Sequence, residues 1–265
     1  MPTQREQGAA FRDLHAGEPF IIPNPWDAGS ARVLEALGFK ALATTSSGFA
    51  FTLGRLDGNV TLDEVVDHVG LLARATTLPI SVDLEDGYGP KPSDAATAIA
   101  RAAAAGAVGG SIEDYSSSGD GLYPLEQAVE RVAAAVEATR GLDFDFTLTA
   151  RAENHIRGNP DLDDTITRLQ AYERAGADVL YAPGLRTGEE IEAVAHAVSK
   201  PLNVLAHAGL SMSEIVAAGG QRVSVGGSLA WVAAAAFAGA AEQLRESGDF
   251  SVLHAPVKLR EWLGD

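Results

Sequence analysis

One pattern limits this chain more than any other. A short apolar run rich in β-forming residues, a polar or glycine-containing end, and a segment of helical periodicity recur about eight times. The runs are Phe20-Ile21-Ile22, Ala41 to Thr45, Leu78 to Asp83, Val108 to Ile112, Phe146 to Ala150, Asp178 to Tyr181, Leu202 to Leu205 and Val223 to Val225. Helices are expected from Asp27 to Leu37, Thr61 to Ala75, Ser93 to Ala105, Pro124 to Arg140, Asp161 to Ala175, Glu189 to Val198 and Ser211 to Ala218, and a long alanine-rich helix ends near Glu246. Asp27 suits an N-cap and Gly38 a stop. Thr61 with Glu64 reads as a capping box, and Pro124 fits a first helical turn. Strict alternation means parallel strands joined by helical crossovers. Such a repeat over 265 residues has the length of a (β/α)8 TIM barrel.

No linker or composition shift divides the chain, so residues 1–265 read as a single barrel domain. A helix over 3–16 precedes the barrel and an amphipathic helix over 250–263 follows it. The segment from Ser46 through Arg55 and Asp57 reads as a loop. The alanine-rich stretches 102–107 and 231–241 suit either close helix packing or plain helix propensity.

Charge and composition exclude several functions. Asp and Glu number 36 against 20 Lys and Arg, a formal charge of −16. Nucleic acid and anionic membrane both require basic surface, so neither is an expected partner. An anionic substrate would need a local cation or a placed arginine. The chain has no cysteine, which removes disulfides, zinc–thiolate sites and thiol nucleophiles. No signal-like segment and no apolar run of about 20 residues is seen, so a cytoplasmic protein is expected.

In a TIM barrel the active site lies at the C-terminal ends of the strands. Those ends carry Asn24 and Trp26; Thr45, Ser47 and Gly48; Asp83 and Glu85; Glu113; Arg151 and Glu153; Asn203; and Gly226 to Ser228. In an extended strand Asp83 and Glu85 would face one way. They would repel unless a cation, a proton or an arginine lay between them. Gly87 and Gly89 then permit a sharp turn. Alone, this stretch is either a hard-metal site or a solvated acidic turn. Glu113 and Arg151 end the next two strands, and strands lie ~4.8 Å apart, so all four groups can converge on one small volume, which favours the metal site.

Other residues have two readings. Arg151 could bind an anion or neutralise buried carboxylates. Glu153 could be its partner, and Asn203 could satisfy backbone at a strand end. Gly226-Gly227-Ser228 could hold a phosphate or make a turn. His68 and His196 fall on helices and read as surface residues, whereas His155 and His207 follow strand ends and are acid–base candidates. The Ser/Gly-rich loop 115–123 is a lid or a surface loop.

From Asn24 to about Phe250 the sequence resembles the isocitrate lyase/phosphoenolpyruvate mutase superfamily. The resemblance rests on Thr45-Ser46-Ser47-Gly48-Phe49, Asp57, Val82-Asp83-Leu84-Glu85-Asp86-Gly87-Tyr88-Gly89, Ser111-Ile112-Glu113-Asp114, Thr149-Ala150-Arg151 and Pro201-Leu202-Asn203-Val204, in that order. It implies a barrel that binds Mg²⁺, or Mn²⁺ in its place, and a small 2-oxo acid or its enolate. Asp83 would lie closest to the metal, with Glu85 and Glu113 holding it largely through water and Asp57 beside the cluster. Ser47 and Gly48 amides would grip the substrate, with Thr45, Phe49, Asp83 and Asn203 around it, and Arg151 would pair with its anion. Asp57, Glu113 and Arg151 would be the catalytic set. It also implies a homo-oligomer, commonly a tetramer, in which the C-terminal helix (Val252 to Leu263 here) packs on or swaps with a neighbouring subunit.

Some positions depart from the family pattern. The loop Tyr115 to Tyr123 lacks the cysteine of the isocitrate and methylisocitrate lyases, and Ala182-Pro183-Gly184 replaces a glutamate common after the sixth strand. Glu85 stands where an aspartate is usual, and Thr45 where the mutases commonly carry a large aromatic. The pattern is that of a cysteine-free branch that includes oxaloacetate decarboxylase-like proteins. The expected activity is a Mg²⁺-dependent carbon–carbon lyase or decarboxylase on a small 2-oxo or 2-hydroxy (di)carboxylic acid, through an enolate, and not a classical isocitrate lyase. The alternatives are a carbon–phosphorus mutase or hydrolase, and a non-catalytic 2-oxo-acid binder.

Overall fold

Eight of the strands form one parallel sheet that curls into a nearly closed barrel. The structure is a computed structural model, and residues 2–116, 119 and 121–264 are described. The strands are β1 (Phe20–Ile22), β2 (Leu42–Ala43), β3 (Ile80–Asp83), β4 (Gly109–Glu113), a small antiparallel hairpin β5 (Tyr115–Ser116) and β6 (Gly121–Leu122), then β7 (Thr147–Arg151), β8 (Val179–Tyr181), β9 (Leu202–Leu205) and β10 (Gly220–Ser224). Around the barrel the order is β1-β10-β9-β8-β7-β4-β3-β2. The seam between β1 and β2 is not a ladder. It is bridged by the Ala43 amide donating to Pro23 O at 3.0 Å and by Asn24 Nδ2 donating to Thr44 O at 2.9 Å.

The helices start where side chains can satisfy their first amides. Helix α1 (Gln4–Leu14) opens with a Thr3/Glu6 capping box and α2 (Ala28–Ala36) with an Asp27/Ser30 box. Helix α3 (Ser46–Thr52) forms where the sequence pattern suggests a loop. Thr45 Oγ1 accepts the Gly48 amide and starts this helix. Gly48 is not a turn glycine. A Cβ there would come within 2.7 Å of the Thr45 methyl and 3.2 Å of Trp26 Cβ, so it permits close packing under the barrel mouth. The predicted Thr61/Glu64 box opens α4 (Leu62–Ala75). Helices α5 (Pro92–Ala105), α6 (Leu125–Arg140), α7 (Leu162–Ala175), α8 (Gly188–Ala197), α9 (Met212–Ala217) and α10 (Ser228–Ser247) complete the ring, and α11 (Leu259–Leu263) ends the chain.

The alanine stretches divide into the two readings. On α5, Ala95, Ala98 and Ala102 are fully buried and the helix packs along α6. On α10 only Ala230 is buried, and Trp231, Val232 and Phe237 are exposed, so the small residues there reflect propensity rather than packing within this chain. The last amphipathic helix is shorter than expected. A 3₁₀ turn covers Phe250–Leu253, and Pro256 interrupts before α11, since proline lacks a donor and keeps the preceding residue out of helix. Helix α11 packs on α2 of its own chain, and Arg32 donates to Leu263 O.

Helix α1 closes the lower end of the barrel. Phe11 is fully buried with Phe20, Ile22, Ala41 and Val108, and its ring lies where a Cβ on Gly109 would be 2.5 Å away. Burying the phenylalanine, isoleucine and valine side chains supplies ~1.5–3 kcal/mol each. No helix among the described residues is long and apolar enough to cross a membrane.

His68 is buried, in contrast to the surface position expected. Its ring stacks on Phe49 with centroids 4.1 Å apart. Burial lowers its pKa from 6.5 to about 4, with Asp27 opposing weakly. Between those values the unfolded chain binds a proton that the folded chain does not, so stability falls as pH drops from 6.5 toward 4. At pH 4.5 this site is expected to cost about 2–3 kcal/mol relative to neutral pH. Denaturant titrations at the two pH values should show His68→Phe losing less stability on acidification than the parent by that amount.

Candidate active site

The polar residues collect at the C-terminal mouth of the barrel, and a buried network behind the mouth fixes them. Arg151 ends β7 and is its centre. Its Nη1 lies 3.2 Å from Glu113 Oε2 and 4.0 Å from Asp83 Oδ1, and its Nε bonds Glu153 Oε1. The guanidinium lies 5.2 Å from the Tyr181 ring centre. Glu153 is fully buried, and its second oxygen accepts Arg157 Nε at 2.9 Å. Arg157 also approaches Glu113 Oε1 at 3.5 Å and stacks 4.0 Å over Tyr115. Behind them, Asp114 Oδ1 accepts the Glu153 amide at 2.7 Å, while its Oδ2 takes Tyr172 Oη at 2.5 Å and Arg168 Nη1 at 3.0 Å. The chain between β7 and α7 is thus anchored to β4.

Asp83 ends β3. Its oxygens accept the Ser46 amide at 3.2 Å and the Glu85 amide at 3.3 Å. Glu85 reaches the same patch by a route other than strand alternation. The strand stops at Asp83, and Glu85 sits at φ +48°, a conformation that costs energy for a side chain other than glycine. Glu113 N donates back to Glu85 O at 2.9 Å and fixes the turn. Tyr88 is also left-handed at φ +62°, and its hydroxyl points at Glu85 Oε1, 3.4 Å away. From α6, Arg131 donates to Gly89 O at 2.6 Å and holds the far side of this turn.

Two spaces that share Arg151 in their walls open on this cluster. One descends into the barrel past Thr45, Asp83, Arg151, Tyr181 and Asn203. The other lies at the rim between Ser46, Asp57, Glu85, Glu113, Arg151 and Arg157. The acids Asp57, Asp83, Glu85, Glu113 and Glu153 outnumber the cations Arg151 and Arg157. Burial, with Asp83, Asp57 and Asp86 adding to it, pushes the Glu85 carboxyl up to about 8. Burial also holds Glu113 well above the usual carboxylate range although Arg151 opposes it. Arg151 stays charged: burial works against the cation, but Glu113 and Glu153 outweigh it.

Among the described residues, no group of three or more His, Asp or Glu side chains is placed to hold a metal ion. The donor set nonetheless fits a hard divalent cation. Mg²⁺ needs one or two carboxylates and keeps several waters, and a second positive charge would relieve the excess of acid around Glu85.

The remaining candidates separate. Thr45 lines the inner space, and Asp57 reaches the rim from an exposed loop. Ser47 Oγ is 3.2 Å from Thr45 Oγ1. Gly48 gives its amide to Thr45 and Phe49 turns away onto His68, so neither faces the cavity. Asn203 lies inside the barrel between Ser224 Oγ at 3.0 Å and Arg222 Nε at 2.7 Å. The phosphate-cradle reading of Gly226 to Ser228 gives way to turn chemistry: Asn24 Oδ1 accepts the Val225 and Gly226 amides at 2.9 and 3.0 Å, and Ser228 N bonds Val225 O. His155 lies near Glu190 and His207 accepts the Gly209 amide, both away from the two spaces. In the 115–123 loop, residues 117, 118 and 120 lie outside the described residues, and the lid expectation falls partly on them.

Arg157 and Arg222 join the site without having stood out in the sequence. Arg157 carries an i,i+4 signal with Glu153. Arg222 follows from extending the last strand back to Gly220, which makes it alternate with Ser224.

Carboxylates on consecutive strand ends thus surround one arginine at the mouth of a parallel (β/α)8 barrel. Residues 11–245 match the phosphoenolpyruvate phosphomutase family model, and the chain belongs to that family. It is 33% identical over 232 residues, 84% of this chain and 78% of the relative, to an oxaloacetate decarboxylase of Bradyrhizobium sp. BTAi1. A solved lyase/mutase-type protein of Burkholderia cenocepacia J2315 superposes with a TM-score of 0.95 at 50% identity, covering 99% of this chain and 97% of that one. The structure of an oxaloacetate acetylhydrolase with its product oxalate superposes at 0.86 with 28% identity, over 97% and 94% of the two chains.

Glu153 should be structural. Glu153→Ala leaves Arg151 without its shortest partner and is expected to cost about 3–5 kcal/mol, as breaking a buried pair does. Urea denaturation of the purified variant measures this directly.

Proposed function

We propose that the protein is a Mg²⁺-dependent carbon–carbon lyase or decarboxylase acting on a small 2-oxo or 2-hydroxy (di)carboxylic acid through an enolate. The observation that carries this reading is the pairing at one mouth of a charged, immobilised Arg151 with an excess of acid on the adjoining strands. Asp83, Glu85 and Glu113 would hold the cation, largely through water. When bound, it would supply positive charge opposite an enolate oxygen. Arg151 would grip the substrate carboxylate with its planar fork, which Glu113 and Glu153 already orient. Thr45 and Ser47 would flank the substrate from the start of α3, and Asp57 would approach from the rim. The relatives support the substrate class: one is named for oxaloacetate decarboxylation and another was solved with oxalate.

Calorimetry with oxaloacetate, 2-oxoglutarate, pyruvate and phosphonopyruvate, with and without Mg²⁺, tests the proposal when each mixture is also followed for product. Binding that needs the metal and vanishes in Asp83→Ala is expected, with turnover lost on chelation. Arg151→Lys should lower kcat/KM by about 10- to 100-fold, the value of hydrogen bonds to a charged group. Turnover confined to phosphonopyruvate would move the assignment to carbon–phosphorus chemistry. Absence of metal-dependent binding for all four would overturn it.

We also propose that the chain assembles as a homotetramer. The exposed Trp231, Phe237, Phe250, Leu253 and Leu259 lie on α10 and the segment after it, where a neighbour would cover them. Size-exclusion chromatography with light scattering should give four times the 27.5 kDa chain mass, and Phe237→Glu should lower it.

A further inference from the structure

Arg222 is a buried cation without a counter-charge. It rises from β10 into the barrel and is 4% exposed. Among the described residues no carboxylate lies within ion-pair distance of it. Its partners are Asn203 Oδ1 at 2.7 Å, Thr149 Oγ1 at 2.9 Å and His15 Nε2 at 3.2 Å. Because a guanidinium only donates, His15 Nε2 must accept, and the ring proton sits on Nδ1, which donates to Phe11 O at 2.8 Å. His15 is therefore a neutral neighbour, and burial next to Arg222 holds its pKa down at about 3.

The layer that Arg222 enters is also unusual. Barrel interiors are packed with branched apolar side chains. Here Ser81, Ser111, Asn203 and Ser224 join Ile22, Ala43 and Val82 around a space that continues up to Arg151. A desolvated charge without a partner is costly. A guanidinium has five N–H groups, and only some of those on Arg222 are taken by its three neighbours.

We propose that Arg222, with Asn203 and Ser224, is an inner anion subsite that takes the second carboxylate of a dicarboxylic acid whose first carboxylate is held at Arg151. This rests on the role proposed for Arg151 and narrows the substrate to dicarboxylates. The planar fork matches a carboxylate edge-on, and a neutral polar lining lets the ligand supply the missing negative charge.

Binding of malonate, succinate, 2-oxoglutarate and pyruvate to the full chain with Mg²⁺ tests it, comparing the parent with Arg222→Gln, Arg222→Lys and Arg151→Gln. At least one dicarboxylate should bind Arg222→Gln at least about tenfold more weakly, the effect of removing one partner of a buried charge pair, with pyruvate unchanged. Arg222→Lys should recover part of the loss, which a merely structural role would not do selectively. Equal shifts for all four ligands, or no shift for any, would overturn the subsite. If pyruvate is indifferent to Arg151→Gln, the role of Arg151 at the mouth fails, whereas the subsite still stands or falls on whether Arg222→Gln weakens a dicarboxylate selectively. Should Arg222→Gln not fold, a crystal of the parent grown with the best-binding dicarboxylate decides: a carboxylate on the Arg222 guanidinium supports the subsite, and only water there overturns it.

Discussion

Everything at the mouth of this barrel depends on how Arg151 is held. A guanidinium at a strand end keeps several rotamers open unless its donors are engaged, and here Glu153 and Glu113 engage it from two sides while Tyr181 lies beneath. Glu153 can serve because its own backbone is tied to Asp114, and Asp114 because Tyr172 and Arg168 hold it from α7. The chain of constraint runs from a helix on the outside, through a buried aspartate just past β4, to a cation facing the cavity. Positioning by such a supporting layer is what keeps a reacting group within the tolerance that catalysis needs.

The acids solve a different problem. Burial and repulsion from neighbouring acids push Glu85 and Glu113 toward the protonated state, so the cluster is short of positive charge. The left-handed backbone at Glu85 and Tyr88 is part of the same arrangement, since local strain is tolerated where the surroundings over-determine the geometry. The backbone bond from Glu113 to Glu85 O, with Arg131 bonding Gly89 O, supplies that determination.

Much of this is legible in the sequence, and the reasons are local. Capping residues such as Asp27 and Thr61 announce helix starts whatever the tertiary context, and alternation of apolar runs with helices admits few topologies. Strand ends then name Asp83, Glu113 and Arg151 as neighbours, because parallel order makes consecutive strands adjacent. What escapes is set by tertiary contact. Helix α3 is hidden because Ser-Ser-Gly reads as a turn until Trp26 and Ala230 are seen to demand a glycine. His68 looks like a surface residue until Phe49 covers it. Arg222 is missed because a charged residue inside a strand contradicts the expectation of an apolar barrel core, and local rules tend to fail at such special sites.

The seam between β1 and β2 gives the two ends of the chain a common task. A barrel missing one ladder behaves like a split ring, and a split ring springs open where it is cut. Helix α2 spans that cut from outside, α1 plugs the floor beneath it, and α11 leans on α2 as a buttress. Asn24 and Thr44, which bridge the cut, are immediate neighbours of the cavity. The two ends of the chain therefore both pack around the seam. Residues near position 260, far from the cavity in sequence, thus lean on the helix that spans the cut beside it.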